Sequence, residues 1–328
     1  REPALDGTSF ADAMMAYETS TLIGMVTADG GVLLNPPMQT RFEPGFSAVV
    51  IAEDDSAIRL THARRQVDGA AIVAPTHHEK SAERTLMLGW NHRAPTIAFE
   101  LSRYVAPGSL LTIAADTPTL AQDVEQLQVW GSNLSVDYAR VDTGHRSTLE
   151  GLDITSYDHV LVLGYSDLME AQPTDTRTLV TLLHLRKIAE ASGRPLNVVS
   201  EMIDIRNREL AEVTRADDFV VSNKLVSLMM AQASENENLG AIFDELLDEN
   251  GPEICMRLVE HYLEPGRAVD FYTATEACRR RGEIAIGYVR RREGEVYQRN
   301  MGGVVMNPAK SQPVTFAAGD KLIVIARD

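Results

Sequence analysis

A glycine turn that follows a predicted buried strand is the first candidate for chemistry. Residues 85–88 predict the strand, and Gly89 opens the turn. A dinucleotide-binding turn has the pattern Gly-x-Gly-x-x-Gly, because its second glycine lets the backbone approach a pyrophosphate at a helix N-terminus. Here Asn91 replaces the second glycine and Ala94 replaces the third. Half of the fingerprint is therefore present, with a Cβ atom where the phosphate needs space.

The ends of the neighbouring predicted strands supply the other candidate binding residues. Asp116 ends the second strand, where a ribose-binding carboxylate is expected. Ligands of such sheets lie beyond the carboxyl ends of the strands. Two interpretations stay open: a bound dinucleotide such as NAD, and a sheet that has kept its shape and lost the ligand. The candidate cofactor-binding residues are Gly89, Asn91, Asp116, Asp142 and Gly164.

Carboxylates between residues 235 and 249 offer a second kind of site. Calcium takes roughly six to eight oxygen ligands from several directions, which one helix face seldom supplies but two apposed surfaces can. The sequence contains no EF-hand loop. A calcium site and a solvated helix face are therefore the alternatives. The candidate metal ligands are Glu235, Glu237, Asp244, Glu245 and Asp248.

Nucleophilic catalysis has weaker support. Residues 164–168 follow a strand and resemble half of the Gly-x-Ser-x-Gly elbow, but Leu168 stands where the closing glycine is needed. His77, His78 and Glu79 could bind a metal, but they lie in a proline-containing connector, which favours a solvated linker. We find no constellation typical of an active site and predict that the protein is not an enzyme.

Composition limits the partners. Among 328 residues, 47 are acidic and 31 are basic, giving a net charge of −16 that disfavours nucleic acid and anionic membrane surfaces. No stretch approaches the roughly 18 apolar residues of a membrane span, and no signal peptide is recognised. Cys255 and Cys278 lack metal or redox spacing, which indicates reduced cytosolic thiols. The one basic cluster, Arg279–Arg281 with Arg290–Arg292, predicts a solvated helix end and hairpin.

An internal repeat organises the chain. Residues 7–54 and 266–328 share one order of elements: a helix, a strand, a turn, a strand ending in Asn-Pro, and a closing strand. Each copy predicts a small α+β module. If the duplication covers the whole unit, an α/β lobe matching residues 84–250 lies upstream of residue 1. The matched strings are Ile23–Val26 with Ile286–Val289, Val32–Pro36 with Val304–Pro308, and Val49–Ala52 with Ile323–Ala326.

The region between the two copies alternates strands and helices. This alternation predicts a Rossmann-like, doubly wound parallel sheet flanked by the two small α+β modules. Residues 237–248 show the clearest amphipathic helix, with apolar residues on one face. We expect this helix to pack against a small lobe or a neighbouring subunit.

With these elements in place, the chain resembles the cytosolic part of the CASTOR/POLLUX ion-channel family, as a bacterial homologue. These channels carry tandem domains of the RCK type (regulator of potassium conductance). The longest matching string is Asp218–Gly251, and together the strings span most of the chain. They also include Arg84–Trp90, Ala106–Ser109, Thr174–Leu179, Val199–Asp204, Gly287-Tyr288 and Asn307-Pro308.

The resemblance implies a division into domains. Residues 1–60 would form the C-terminal lobe of a first RCK-type domain, followed by a linker over residues 61–83. The second domain would comprise a Rossmann-like lobe over residues 84–222, a helical connector over 223–250, and a C-terminal lobe over 251–328.

The resemblance also implies a function. Four subunits would form a ring on the cytoplasmic side of the cell membrane, below a pore domain encoded upstream. Calcium or another ligand would shift this gating ring between states and open a cation channel. The fragment itself would be soluble. Two alternatives stay open: an NAD(P)-binding regulatory subunit or oxidoreductase-like protein, and a purely structural scaffold.

Overall fold

The chain folds into two units, one of which contains both copies of the repeat. The computed structural model describes residues 1–61, 67–75, 81–127, 133–194, 196–207, 218–235, 238–248, 250–290 and 303–327. One unit comprises Arg1–His77 and Asn236–Asp328, and the other comprises His78–Glu235.

The first copy of the repeat forms a short helix and a three-stranded antiparallel sheet with the order β2-β1-β3. Ser9 begins the helix because its side-chain oxygen accepts a hydrogen bond from Asp12 N at 3.1 Å. The elements are α1 (Phe10–Met14), β1 (Thr21–Val26), β2 (Val32–Leu34) and β3 (Ser47–Ile51).

The unit His78–Glu235 is built on a six-stranded sheet in which every described strand pair is parallel. Its order is β6-β5-β4-β7-β8-β9, so the chain reverses direction across the sheet at β4. The predicted doubly wound sheet is confirmed. The strands are β4 (Arg84–Leu88), β5 (Ser109–Ala115), β6 (Leu134–Arg140), β7 (His159–Val162), β8 (Val198–Met202) and β9 (Asp218–Val221).

Both faces of this sheet are covered, which explains the apolar run in β4. Met87 packs into one core, whereas Leu86 and Leu88 pack into the core on the opposite face. Two helices cover the first face, α2 (Ala94–Tyr104) and α3 (Leu120–Leu127), and two cover the second, α4 (Arg146–Gly151) and α5 (Ala171–Ser192). A further helix, α6 (Ser222–Glu235), follows β9.

The second copy of the repeat has a larger sheet, with the order β10-β15-β12-β13, and a separate pair of strands, β11-β14. It is preceded by α7 (Leu239–Leu247). The remaining elements are β10 (Glu253–Leu258), β11 (Ala268–Asp270), α8 (Phe271–Arg279), β12 (Ile284–Val289), β13 (Val304–Met306), β14 (Pro313–Thr315) and β15 (Lys321–Ala326).

The two copies share an irregularity that the sequence repeat encodes. The register of β1 shifts between Leu22 and Gly24, and that of β12 shifts between Ala285 and Gly287. A Cβ atom on Gly24 would lie 2.5 Å from the carbonyl oxygen of Leu33. On Gly287 it would lie 2.4 Å from the carbonyl oxygen of Val305. Glycine is therefore required where the neighbouring strand passes closest.

One hydrophobic core joins the two copies. Ile284 and Ile325 of the second copy are buried with Phe10, Leu22 and Met25 of the first. The helix predicted over residues 237–248 also contributes: α7 places Ile242 and Leu246 against this core. The two copies and α7 therefore fold as one body, through burial of apolar surface.

The structure bears on two expectations from the sequence, the basic cluster at Arg279–Arg281 and the connector over residues 223–250. The sequence predicts a solvated helix end at Arg281, but this residue donates hydrogen bonds to the carbonyl oxygens of Val73 and His261 and lies over the ring of Tyr262. It therefore acts as a structural link, whereas Arg291 and Arg292 lie outside the described residues. The segment predicted as a connector, residues 223–250, divides between the units, with α6 in one and α7 in the other. The domain boundaries remain predictions.

The N-terminus of α8 offers a test of local stability. Asp270 caps this helix by accepting a hydrogen bond from Thr273 N at 3.1 Å. Asp270→Ala is expected to lower the free energy of unfolding by about 1 kcal/mol. Asp270→Asn keeps the acceptor and is expected to lower it much less. Urea unfolding followed by far-ultraviolet circular dichroism compares the two; equal losses would contradict the capping role.

Candidate functional site

The five residues predicted to bind a cofactor all lie at the carboxyl edge of the parallel sheet. Each follows a different strand or shares the turn after β4. This is the edge at which doubly wound sheets bind ligands. Gly89 and Asn91 follow β4, Asp116 follows β5, Asp142 follows β6 and Gly164 follows β7.

Gly89 is required by its neighbouring strand. Its φ of +95° lies in the region that favours glycine, and a Cβ atom there would lie 2.2 Å from the carbonyl oxygen of Leu163. The glycine therefore permits the close approach of the segments that follow β4 and β7, and its presence needs no bound phosphate as an explanation.

The side chain of Asn91 fills the space that the second glycine of a dinucleotide site would leave open. It is 1% exposed. Its Oδ1 accepts a hydrogen bond from Arg93 N at 2.9 Å, just before the first turn of α2. Its Nδ2 donates to the carbonyl oxygen of Gly164 at 2.7 Å and to Oε2 of Glu201 at 2.8 Å. The carboxamide thus satisfies groups that a ligand would otherwise contact.

Glu201 brings a buried negative charge to the same place. It lies in β8 and is 6% exposed. Its carboxylate accepts hydrogen bonds from Gly164 N at 3.2 Å and from Nη1 of Arg93 at 2.8 Å. A pyrophosphate at the N-terminus of α2 would meet the carboxamide and a like charge at short range. In this arrangement the residues do not fit a dinucleotide pyrophosphate.

The other two acidic candidates pair with cations of the chain. Asp116 lies 3.7 Å from Nε of Arg140. Asp142 accepts a hydrogen bond from Nη2 of Arg177 at 2.6 Å and lies 3.0 Å from Nδ1 of His145. The hydrogen bond from Gly144 N, together with Arg177 and His145, lowers the pKa of Asp142 below its ordinary value. The Asp142 carboxylate therefore ties the loop after β6 to α5, whereas the Asp116 pair is exposed to solvent.

Tyr165 and Arg177 connect the strand ends. The hydroxyl of Tyr165 accepts a hydrogen bond from Asp116 N at 3.2 Å and lies 3.4 Å from Oγ1 of Thr143. The guanidinium of Arg177 lies 4.3 Å from the centre of the Tyr165 ring. Arg177 also lines a shallow groove of about 630 Å³, beside Met169, Pro173 and Val180. This groove is an open space beside the N-terminal part of α5.

The half elbow at Ser166 has no neighbouring base in the described structure. The hydroxyl of Ser166 is buried without a hydrogen-bond partner there. The nearby His92 instead contacts Asp167, with Nδ1 2.6 Å from Oδ1. A serine nucleophile needs a base within hydrogen-bond distance, so this segment lacks the arrangement.

The candidate calcium ligands are only partly described. Glu235 ends α6, Asp244 and Glu245 lie on α7, and Asp248 follows α7. Glu245 lies 3.0 Å from Nη2 of Arg327, so its charge is compensated. Glu237 lies outside the described residues. Within the described ranges, no three His, Cys, Asp or Glu side chains form a group that could hold a metal ion.

Comparisons with known proteins show what the chain is similar to. Residues 1–68 match the family model described as "Castor and Pollux, part of voltage-gated ion channel". A probable ion channel POLLUX of Arabidopsis thaliana is 29% identical over 99% of this chain and 43% of its own length. The ion channel CASTOR of Lotus japonicus is 28% identical over 88% of this chain and 38% of its own length. The chain is similar to the CASTOR/POLLUX ion channels over nearly its whole length.

A solved structure shares the fold of this chain. The human SLO3 gating ring has a TM-score of 0.70 to this chain at 15% identity, covering 98% of this chain and 65% of that one. The fold of a gating ring is thereby shown. The chain spans less than half the length of the CASTOR/POLLUX relatives it matches. Among the described residues, no helix is both long and apolar enough to cross a membrane.

The sequence patterns did not predict several residues that lie at the sheet edge. Arg93, Tyr165, Arg177 and Glu201 complete the hydrogen-bond network, but none belongs to the fingerprint that drew attention to the edge. One signal was present: Glu201 is a carboxylate in the apolar strand Val198–Met202, where an unpaired charge would be costly. That position alone predicts a buried partner.

Proposed function

We propose that this chain is the ligand-sensing cytosolic regulatory region of a cation channel, where it forms part of a gating ring. The observation that carries the proposal is the similarity to POLLUX over 99% of the chain. The gating-ring fold supports it. The remainder of the full-length protein would supply the pore.

The joined repeats suit such a role. Since the two copies share one core, a ligand that changes the packing of one copy changes the other. A ligand shifts a gating equilibrium only by its difference in affinity for the two states. We propose that the gating ring is a tetramer on the cytoplasmic side of the membrane, where ligand binding alters the arrangement of these units.

Calcium is the first ligand that we propose for this region. The carboxylates Glu235, Asp244 and Asp248 are oxygen donors of the kind calcium prefers, and the net charge of −16 favours cations. A nucleotide is the second candidate. The network of Asn91 and Glu201 opposes a pyrophosphate beside α2, so a nucleotide would have to enter elsewhere on the sheet edge, such as the groove at Arg177.

We also propose that the region is not catalytic. The relatives that it matches are described as ion channels. The described segment around Ser166 lacks the nucleophile–base pair that acyl transfer needs. Turnover of a nicotinamide cofactor by the purified chain would contradict this part of the proposal.

Titration of the purified chain tests ligand sensing. After removal of divalent ions with a chelator, calorimetry with calcium and then with NAD is combined with light scattering. We expect calcium to bind with a dissociation constant in the range of about 10⁻⁶ to 10⁻³ M and to change the mass or shape of the particle. Asp244→Asn with Asp248→Asn should weaken binding, whereas the control Asp123→Asn on α3 should not.

Two results of these titrations would contradict calcium sensing. If neither calcium nor NAD binds, and the chain stays monomeric throughout, the proposal of a ligand-sensing ring loses its support. Binding of NAD without binding of calcium would move the sensing site to the sheet edge.

A further inference from the structure

The carboxylate of Glu201 accepts hydrogen bonds from separate parts of the unit His78–Glu235. Asn91 Nδ2 follows β4, Gly164 N follows β7, and Nη1 of Arg93 lies at the start of α2. Two of these donors meet Oε2, and the guanidinium meets Oε1. A backbone N–H, a carboxamide and a guanidinium directed at one point are the donor types that proteins use to bind an anionic ligand.

The carboxylate of Glu201 lies at the position where doubly wound sheets bind their ligands. It lies where the chain reverses direction across the sheet, between the ends of β4 and β7, where doubly wound folds hold their ligands. The side chain enters from β8 and is 6% exposed, and its donor Asn91 is 1% exposed, whereas the side chain of Arg93 is 35% exposed. Removing the carboxylate would leave the backbone N–H of Gly164 and one N–H of Asn91 Nδ2 without their acceptor on Glu201, which is unfavourable.

We propose that Glu201 is a built-in anionic ligand that occupies the ligand position of the Rossmann-like lobe. The lobe therefore holds this position closed without a nucleotide, and a nucleotide would have to bind elsewhere on the sheet edge. When the carboxylate side chain is removed, the donors form a site for a small carboxylate ion. This inference does not depend on channel gating, because it concerns only contacts within the unit His78–Glu235.

Acetate is the matched probe for the emptied site. In Glu201→Ala the side chain loses a methylene group and a carboxylate, and acetate replaces these atoms closely. Trp90 lies beside Asn91 and is 8% exposed, so its fluorescence reports the site. Trp130 is the other tryptophan of the chain, and a Trp130→Phe background leaves Trp90 as the sole reporter.

The experiment compares three proteins in this background: the unsubstituted chain, Glu201→Ala and Glu201→Gln. Sodium acetate is titrated to on the order of 100 mM, since stabilisation by a weak ligand grows with the ratio of concentration to dissociation constant. Sodium chloride of equal ionic strength is the control. We expect acetate to change the Trp90 fluorescence and raise the unfolding temperature of Glu201→Ala by several degrees.

The two comparison proteins should show no response. In the unsubstituted chain the site is filled by Glu201, and in Glu201→Gln it is filled by a neutral side chain of the same size. A folded Glu201→Ala that ignores acetate would overturn the proposal, and so would an equal response in all three proteins.

Glu201→Gln keeps the proposal testable if Glu201→Ala does not fold. The glutamine cannot supply the charge that pairs with Arg93, so we expect a clearly lower unfolding temperature than for Glu150→Gln on the exposed surface of α4. An unfolding temperature equal to that of Glu150→Gln would show that the buried charge is dispensable, and would overturn the proposal. If the chain did not bind calcium, the results expected for the Glu201 variants would be the same.

Discussion

Replacing Lys310 by methionine is expected to raise the free energy of unfolding of the unit that contains both repeats, by about 2 kcal/mol at pH 7. Lys310 is 1% exposed, and its ammonium group donates a hydrogen bond to the carbonyl oxygen of Ser20. Burial lowers the pKa of this lysine from 10.5 to about 8, against the opposing effect of Glu18. The protonated amine therefore destabilises the folded chain.

The repeat itself supplies the replacement. Met38 of the first copy is equivalent to Lys310, because their carbonyl oxygens accept hydrogen bonds from equivalent residues of α1 and α8, Ala11 N and Tyr272 N. The lowered pKa corresponds to about 3 kcal/mol of destabilisation below pH 8. Lys310→Met removes this destabilisation but also removes the hydrogen bond to Ser20, which lowers the gain in the free energy of unfolding by about 1 kcal/mol.

The pH dependence follows from the sign of the shift. Between about pH 8 and pH 10.5 the unfolded chain retains a proton on Lys310 that the folded chain has lost. The unsubstituted protein therefore gains stability from this group as the pH rises through that window, and Lys310→Met does not. The difference between the two proteins should shrink from pH 7 to pH 10.5.

Hydrogen exchange in β12 and β15 measures this difference, because both tryptophans, Trp90 and Trp130, belong to the other unit. Their fluorescence then serves as an internal control that should not change. Lys321→Met, on an exposed position of β15, is the matched control. A Lys310→Met protein that is less stable at pH 7, or a difference that is independent of pH, would contradict the account.

Asn307→Ala is expected to lower the free energy of unfolding of the same unit by about 3 kcal/mol. The side chain of Asn307 joins the two copies: its Oδ1 accepts a hydrogen bond from Oγ1 of Thr21 at 2.9 Å, and its Nδ2 donates to the carbonyl oxygen of Thr19 at 3.0 Å. Its φ of +47° adds a penalty for alanine.

Asn35 makes the corresponding contact from the first copy. Its Nδ2 donates to the carbonyl oxygen of Gly282 at 3.0 Å, and its φ is +41°. Since one hydrogen bond crosses between the copies here, Asn35→Ala should lower the free energy of unfolding by about 2 kcal/mol. The two Asn-Pro steps thus clamp the copies to each other with approximate two-fold symmetry.

Matched substitutions separate the clamp from backbone strain. Asn307→Gly tolerates the positive φ but loses both hydrogen bonds, so it should lose about 2 kcal/mol. Asn307→Asp keeps the acceptor for Thr21 and should lose less than glycine does. The free energy of unfolding of each variant is measured by urea unfolding, with hydrogen exchange in β1 and β12 as the probe. Stability of Asn307→Gly equal to that of the unsubstituted chain would show that strain alone, and no clamp, explains the alanine result.

Much of the fold follows from sequence patterns. The apolar residues before Gly89 predicted a buried strand, and β4 is buried on both faces. The repeated Ile-Gly and Asn-Pro strings predicted two equivalent modules, and the structure shows the same bulge in β1 and β12. These features depend on local periodicity and on glycine sterics, which short segments of sequence encode directly.

The interactions between distant segments did not follow. The Asn-Pro steps indicated strand ends, but their side chains also reach across to the other copy, about 250 to 290 residues away in sequence. The turn after β4 indicated half of a dinucleotide site, but Glu201 closes it from more than 100 residues away. Lys310 stands where the first copy has methionine, and only the packed interface reveals that it is buried. Such contacts depend on tertiary packing, which periodicity does not specify.

Recording from the full-length channel tests the central claim most directly. The protein is reconstituted in a planar bilayer, and calcium is varied on the side that faces this region. We expect the open probability to change with calcium over the range in which the isolated chain binds it, and the Asp244→Asn, Asp248→Asn protein to respond only at higher calcium. An open probability that ignores calcium and NAD alike, in a channel that conducts normally, would contradict the assignment of this region as a ligand sensor.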